Sequence, residues 1–310
     1  MNSILILLAA YNGSAYLAGQ LDSILAQDCD DWHLIVSDDG SDDGTQDILA
    51  AYAAAHPGKI TCCASPKPFS NACDHFLHLL CAHHDADYVM FCDQDDVWHR
   101  DKISHTLAKM QETEGSSRLP SLVFTDMRVV DEALEEIHPS FLSHSDLKAD
   151  RCTLRHLLMQ NVASGNTVMI NAALARLIVS SRPASGILMH DWWFALVAAA
   201  MGNIGYVPRA TADYRQHSAN SVGAVGGRSL AYIRKRASVQ VIKTAVFSAS
   251  AQAEALLHAY GKLLSPENAE IIRACAAIKD SGWTERRRLY LHYGLFKSGL
   301  MRLIAQFLFA

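Results

Sequence analysis

Tyr88-Val89-Met90-Phe91-Cys92-Asp93-Gln94-Asp95-Asp96 is the stretch on which the fold of this 310-residue chain turns. Five apolar residues run straight into three carboxylates within four positions. An unbroken apolar run of that length reads as a strand covered on both faces, the habit of parallel sheets. The carboxylates that close it repel one another, and a fold keeps such a group together where a cation sits. Hard oxygen ligands on a loop suit Mg²⁺ or Mn²⁺, which commonly bridge to substrate phosphates. The plain alternative is a helix N-cap favoured by the macrodipole, for which Asp96 is suited; a cap does not need three.

Working back from this strand, the same grammar repeats. Ile4–Ala9 is a continuous apolar run, followed by the turn Tyr11-Asn12-Gly13-Ser14. Tyr16 to Gln27 carries apolar residues at 17, 21, 24 and 25, which is helical spacing. His33–Ser37 predicts a second strand, then the polar loop Asp38-Asp39-Gly40-Ser41-Asp42-Asp43-Gly44 and a helix to about Ala55. Ile60–Ala64 predicts a third strand and Ala72–His83 a helix. Four strands alternating with three helices imply right-handed crossovers and a mostly parallel central sheet flanked by helices. Ligands of such sheets bind beyond the carboxyl ends of the strands, where the tyrosine turn and both acidic loops lie.

Downstream the pattern is mixed: strands at Leu122–Val130, Thr167–Ile170 and Ile204–Pro208, helices at Thr153–Gln160, Ala172–Ser181 and Asp191–Met201. Ala219–Gly227, rich in Gly, Ser and Ala, reads as a linker, and the rest as helical. The expected division is a catalytic domain over 1–220 and a helical C-terminal extension over 221–310.

Charge divides the chain at the same place. Residues 1–220 hold 14 Lys and Arg against 27 Asp and Glu; residues 221–310 hold 13 against 5. An acidic body repels a phosphorylated ligand unless a cation lies between them, and a basic tail suits an anionic surface. Glu285-Arg286-Arg287-Arg288 precedes an apolar series from Leu289 to Leu308, with Lys297 and Arg302 between. That is the composition of a stretch lying on an anionic bilayer, or of a helix packed on the body. The uncharged run Trp192–Pro208 is interrupted by Gly202, Asn203 and Gly205 and is shorter than the roughly 20 residues of a membrane span. No Lys or Arg precedes Lys59, so Ile4–Ala10 lacks the basic start of a signal peptide. Eight scattered cysteines without a CxxC pair fit reduced thiols in a cytoplasmic protein.

Two metal motifs fail on spacing. A calcium loop starting at Asp39 would need Glu where Ala50 stands. Cys73, His75, His78, Cys81, His83 and His84 lie on or beside one helix, which does not converge the four ligands of a zinc site.

Taken in order, four stretches resemble family 2 glycosyltransferases of the GT-A fold, in particular their rhamnosyltransferase-like branch. They are Ala9-Ala10-Tyr11-Asn12-Gly13 with Leu21–Gln27; Val36–Thr45; Phe91–Trp98; and His190-Asp191-Trp192-Trp193 with Tyr214–Gly223. The resemblance implies an inverting transfer of a sugar from a nucleotide-diphosphate donor, dTDP-rhamnose first and a UDP-hexose second. The acceptor would be a hydroxyl of a lipid-linked or surface polysaccharide. It places Ala9, Tyr11, Asp38 and Asp39 at the nucleotide, with Tyr11 against the base and Asp39 at its edge. Asp93 would meet the ribose, Asp95 and His217 would hold Mg²⁺ or Mn²⁺, and Asp191 would be the catalytic base. The loop Ser164-Gly165-Asn166-Thr167 departs from the family pattern at Asn166, which bears on the acceptor and donor-sugar contacts the resemblance implies. No nucleic acid is expected as partner; peripheral contact with the inner face of the cytoplasmic membrane is.

Three other functions fit less well. Asp93-Gln94-Asp95-Asp96-Val97 also fits a haloacid-dehalogenase-type phosphotransferase with Asp93 as nucleophile, but that motif belongs after a first strand. A nucleotide-sugar pyrophosphorylase would open with a basic Gly-rich loop, and no GxGxxG follows the first strand as a dinucleotide dehydrogenase requires. A non-catalytic nucleotide-sugar-binding protein would have no use for Asp191.

Overall fold

The computed structural model describes residues 3–66, 68–69, 71–183, 185–217 and 239–310. The expected linker Ala219–Gly227 lies outside the described residues.

The first half follows the repeating grammar. Strands β1 (Ile4–Ala10), β2 (Trp32–Asp38), β3 (Ile60–Ala64) and β4 (Tyr88–Cys92) alternate with helices α1 (Leu17–Leu25), α2 (Thr45–Ala55) and α3 (Ala72–Ala82). All four strands pair in parallel, in the order β3-β2-β1-β4. Their apolar runs are continuous because each face has its own cover. In β1, Leu5 and Leu7 join the core beneath α3, while Ile4, Ile6 and Leu8 join the one beneath α1; Val89 and Phe91 of β4 divide from Met90 and Cys92 in the same way. The period-2 alternation of a strand therefore separates two hydrophobic layers rather than core from solvent.

The second half breaks the parallel rule. Beyond β4 the sheet continues with β8 (Met169–Asn171), β6 (Ser121–Val130), β9 (Asn203–Arg215) and β5 (Val97–Trp98). β8 runs antiparallel to both β4 and β6, β9 parallel to β6, and β5 antiparallel to β9; β7 (Glu136–His138) pairs with β6 from the side. The expected strand Ile204–Pro208 is the start of the much longer β9, which pairs with β6 along its length. The two-residue β5 and helix α4 (Lys102–Glu114) are further elements that the hydrophobic pattern does not announce; helices α5 (Phe141–His144), α6 (Leu154–Leu157) and α7 (Ala172–Ser181) follow in the chain.

Helix α8 (His190–Met201) is apolar around its circumference and is buried over Trp193–Ala198, as a helix central to a core must be. After β9 come the C-terminal helices α9 (Val239–Tyr260), α10 (Pro266–Ala276), α11 (Trp283–Tyr293) and α12 (Leu300–Phe309). Val246, Leu256, Tyr260, Ile272, Tyr290 and Leu295 belong to the same core as Leu154, Trp193 and Phe194. The C-terminal helices thus share one hydrophobic layer with the first 220 residues. No helix among the described residues is long and apolar enough to cross a membrane.

Leu256→Ala, at a fully buried position of α9, is expected to lower stability by about 2–5 kcal/mol through lost burial and a residual cavity. Urea unfolding followed by tryptophan fluorescence should stay a single transition shifted to lower urea. Two separate transitions would mean that the helical region folds by itself.

Candidate active site

β1 lies between β2 and β4, so the order of the chain across the sheet reverses there. The crevice at such a switch point, outside the carboxyl ends of the strands, is where α/β sheets take ligands. A cleft of about 840 Å³ occupies it. Its floor comes from Ala9 to Gly13 at the end of β1, Asp39 after β2 and Asp93 to Asp95 after β4; its far wall includes Gly165, Asp191, Trp192 and His217.

Of the residues singled out from sequence, Ala9, Tyr11, Asp39, Asp93, Asp95, Asp191 and His217 all line this cleft. Asp38 does not. Its carboxylate accepts from the Gly40 and Ser41 backbone N–H groups, the Ser41 hydroxyl and Gln46 Nε2, so it folds its own loop. Asp43 does similar work: it accepts from Ser14 N, Thr45 N and, at 2.6 Å, Thr45 Oγ1. The Thr45 hydroxyl is the main reason its carboxyl is held well below the usual range. Much of the acidity of the 38–44 loop is therefore architectural. Asp39 stays at the cleft wall, accepting from Phe69 N at 2.9 and 3.0 Å and from Ser65 Oγ at 3.2 Å, and Phe69 stacks on His75.

The carboxylate trio after β4 divides as well. Asp96 is fully buried, neither a cleft ligand nor a helix cap: its carboxylate accepts from Arg215 N at 3.0 Å and from Asn166 Nδ2. Asn166 Oδ1 in turn accepts from Trp98 Nε1 at 2.7 Å. Burial, then the neighbouring Asp95 and Asp93, push the Asp96 carboxyl well up. Asp96 and Asn166 thus latch β9 and the loop before β8 onto the end of β4, so Asn166 serves the scaffold and does not line the cleft. Asp93 and Asp95 remain at the opening.

Asp95 Oδ2 lies 2.8 Å from His217 Nε2, and the His217 ring packs on Tyr16 with centroids 4.7 Å apart. A carboxylate oxygen and an imidazole nitrogen in contact make a donor pair that fits a divalent cation, with the remaining positions left to phosphate oxygens and water. Among the described residues no group of three or more His, Cys, Asp or Glu is arranged as a metal cage. Asp93 is pushed up to about 7, by burial first and then by Asp95 and Asp191.

Asp191 opens α8 from across the cleft. Its Oδ2 accepts from Gly165 N at 2.9 Å and its Oδ1 from Trp192 N at 2.6 Å. Burial pushes it up to about 6, and these two backbone donors oppose the rise. Glycine at 165 is a steric requirement, since a Cβ there would lie 2.8 Å from His190 Nε2.

Gln94 is the residue that motif reading passes over. Its Oε1 accepts from Tyr11 N and its Nε2 donates to Tyr11 O, both at 2.8 Å. The amide side chain pairs with the Tyr11 backbone as a neighbouring strand would, and pins the turn that carries the Tyr11 ring. Gly13 makes room for it, because a Cβ at 13 would sit 2.3 Å from Gln94 Oε1. A primary amide between two acidic residues was the only signal in the sequence.

A mixed sheet with a switch-point cleft, an acidic strand end and a facing buried carboxylate defines a glycosyltransferase of the GT-A type that works on nucleotide sugars. The chain belongs to glycosyl transferase family 2, whose family model matches residues 5–160. It is 28% identical over 225 residues to the dTDP-rhamnosyl transferase RfbG of Shigella flexneri, covering 70% of this chain and 74% of RfbG. In fold it is similar to Staphylococcus aureus TarS 1–349 in complex with UDP-GlcNAc, with a TM-score of 0.57 at 15% identity over 98% of this chain and 89% of that one. It is similar also to the mannosyltransferase PcManGT of Pyrobaculum calidifontis in complex with GDP-Man and Mn²⁺, with a TM-score of 0.55 at 15% identity over 98% and 86%. The phosphotransferase alternative loses its footing, since Asp93 follows the fourth strand of a glycosyltransferase sheet.

Gln94→Glu keeps the acceptor for Tyr11 N but loses the donor to Tyr11 O and adds an anion between Asp93 and Asp95. Losing a paired hydrogen bond here costs about 1–3 kcal/mol. The expected result is a rise in donor Kd of about tenfold or more by calorimetry, with Gln94→Ala intermediate. An unchanged Kd for both would remove Gln94 from the site.

Proposed function

We propose that this enzyme moves rhamnose from dTDP-rhamnose, with inversion, onto a hydroxyl of a lipid-linked or surface polysaccharide acceptor at the inner face of the cytoplasmic membrane. A UDP-hexose is the second donor candidate. The observation that carries the chemistry is the placement of Asp191: a buried carboxylate across the cleft from Asp93 and Asp95, held by two backbone N–H groups and pushed up to about 6. The similarity to RfbG supports the choice of donor.

In this reading Tyr11 and Asp39 receive the base, and Asp93 the ribose. Asp95 and His217 hold Mg²⁺ or Mn²⁺, which as a Lewis acid would neutralise the departing diphosphate. Asp191 takes the proton of the acceptor hydroxyl as its oxygen bonds to the anomeric carbon. The bond from that carbon to the diphosphate breaks, and the nucleoside diphosphate leaves on the opposite face. A hydroxyl is a weak nucleophile, and a base whose proton affinity is raised toward the working pH removes its proton more effectively. Beside Asp191, Trp192 lines the cleft with its Nε1 fixed on Leu157 O at 2.5 Å. A rigid aromatic surface of this kind suits a sugar ring.

The base must be deprotonated to act, so kcat should rise with pH through about 6 and level off above it. Asp191→Asn should lower kcat by about 10²–10⁴-fold with donor Kd little changed and the pH step gone. A variant that retains full transfer would end the role of Asp191. Asp95→Ala and His217→Ala should each weaken Mn²⁺ binding, measured by calorimetry in the presence of dTDP, and turnover of the unaltered enzyme should stop under EDTA and return with added Mn²⁺. Turnover that survives exhaustive chelation would remove the metal from the mechanism.

A further inference from the structure

Helix α12 is built inside out. Its two polar side chains, Arg302 and Gln306, one helical turn apart, both face the protein. Arg302 donates to the carbonyls of Asp146 and Ser145, at 3.0 and 2.6 Å. Gln306 is buried; its Oε1 accepts from Lys297 N and its Nε2 donates to Leu295 O. Leu300, Ile304 and Leu308 recur at i, i+4 and i+8 on the opposite stripe, and with Met301 and Phe309 they are exposed, Leu300 at 71%. Trp283 of α11, 58% exposed, joins them: its Nε1 approaches Leu308 O at 3.5 Å. A helix in a soluble domain normally turns the other way. A contiguous apolar face of this kind marks an interaction surface.

Its surroundings are cationic. Residues 283–310 contain five Lys and Arg against one acidic residue, Glu285. The side chain of Arg288 is 72% exposed and pairs with Glu285 at 2.7 Å, and the buried Arg287 stacks over Trp283 at 4.1 Å. A second copy of the chain would meet this face with the same cations, because a two-fold contact sets a patch against itself, and like charges would oppose it. An anionic bilayer satisfies both features at once: apolar side chains enter the acyl boundary, tryptophan sits at the interface, and the cations meet headgroups.

We propose that the exposed face of α12, with Trp283, seats the enzyme on anionic phospholipid. The seat lies next to the cleft. Arg302 holds the Ser145 and Asp146 carbonyls, and Leu147, the next residue, lines the cleft wall. Docking through α12 therefore brings that side of the active site toward the headgroups, where a lipid-linked acceptor would present its glycan. The inference rests on the proposed acceptor only for its purpose, since binding to lipid requires no turnover.

The test is flotation of the full chain with vesicles of phosphatidylcholine alone and of phosphatidylcholine mixed with phosphatidylglycerol. The protein should float with the mixed vesicles and stay behind with the neutral ones, and added salt should weaken the association. The triple change Leu300→Ser, Ile304→Ser, Leu308→Ser should lower partitioning by about tenfold or more, with thermal stability and donor Kd kept because the side chains are exposed. Ile304→Ser alone serves as a milder version should the triple variant lose stability, and Arg288→Gln should reduce partitioning by about threefold to fivefold. Three outcomes overturn the proposal: no flotation of the unaltered protein with the mixed vesicles; flotation unaffected by the α12 changes; or a dimer in sedimentation velocity that the same changes dissociate. None of these bears on the sugar-transfer chemistry, which the donor Kd and nucleotide release report separately.

Discussion

Four carboxylates crowd the carboxyl edge of one sheet, and each must be kept there against the repulsion of the others and the cost of leaving water. Charges brought together in a low-dielectric site interact strongly and are tolerated only where hydrogen bonds, counter-charges or a proton compensate. Each carboxylate has its own arrangement. Asp96 is withdrawn into the core on Asn166 and the Arg215 backbone. Asp95 leans on His217. Asp191 takes two backbone N–H groups at the head of α8. Asp93 is left with its proton affinity raised. The acidic cleft is therefore hostile to a bare diphosphate, a condition that a cation bound with the donor would relieve.

The scaffold around this edge is built to hold those positions. Side-chain amides and carboxylates take the place of backbone partners wherever the loops leave the sheet: Gln94 on Tyr11, Asp38 within its own turn, Asp43 between Ser14 and Thr45. Asn12 adopts a left-handed backbone at φ 47° and receives Asp42 N on its Oδ1. Polar residues that look alike in a motif thus divide into those that order the loops and those that open on the cleft. The ordering group makes many short local contacts, and the cleft group keeps at least part of its surface free for a ligand.

The C-terminal helices connect this site to the rest of the molecule. α9 and α10 close the hydrophobic layer over α8, and α8 carries Asp191. Packing of the last third of the chain consequently bears on where Asp191 stands, although none of those helices lines the cleft. α12 differs from them: its polar residues satisfy backbone carbonyls inward while its apolar face is left outside.

The parallel half of the sheet and the place of Asp93 and Asp95 at the end of its fourth strand were open to reading from local pattern, whereas Asp39 and Asp191 entered through the family resemblance. Apolar runs of strand length ending in Asp can be recognised without knowing what surrounds them, and a strand covered on both faces needs no partner to be recognised. What lay beyond such reading depended on partners remote in sequence. β9 extends to Arg215 because β6 offers edge groups along its whole length, and the polar residues Asp213 and Arg215 are held there by His99, Arg128 and Asp96, which no window along the chain brings together. Asp38 and Asp39 are chemically identical neighbours, as are Asp95 and Asp96. Which one of each pair turns to the cleft was settled by the side chains and backbone groups waiting around the strand ends, and that choice exists only once the sheet has formed.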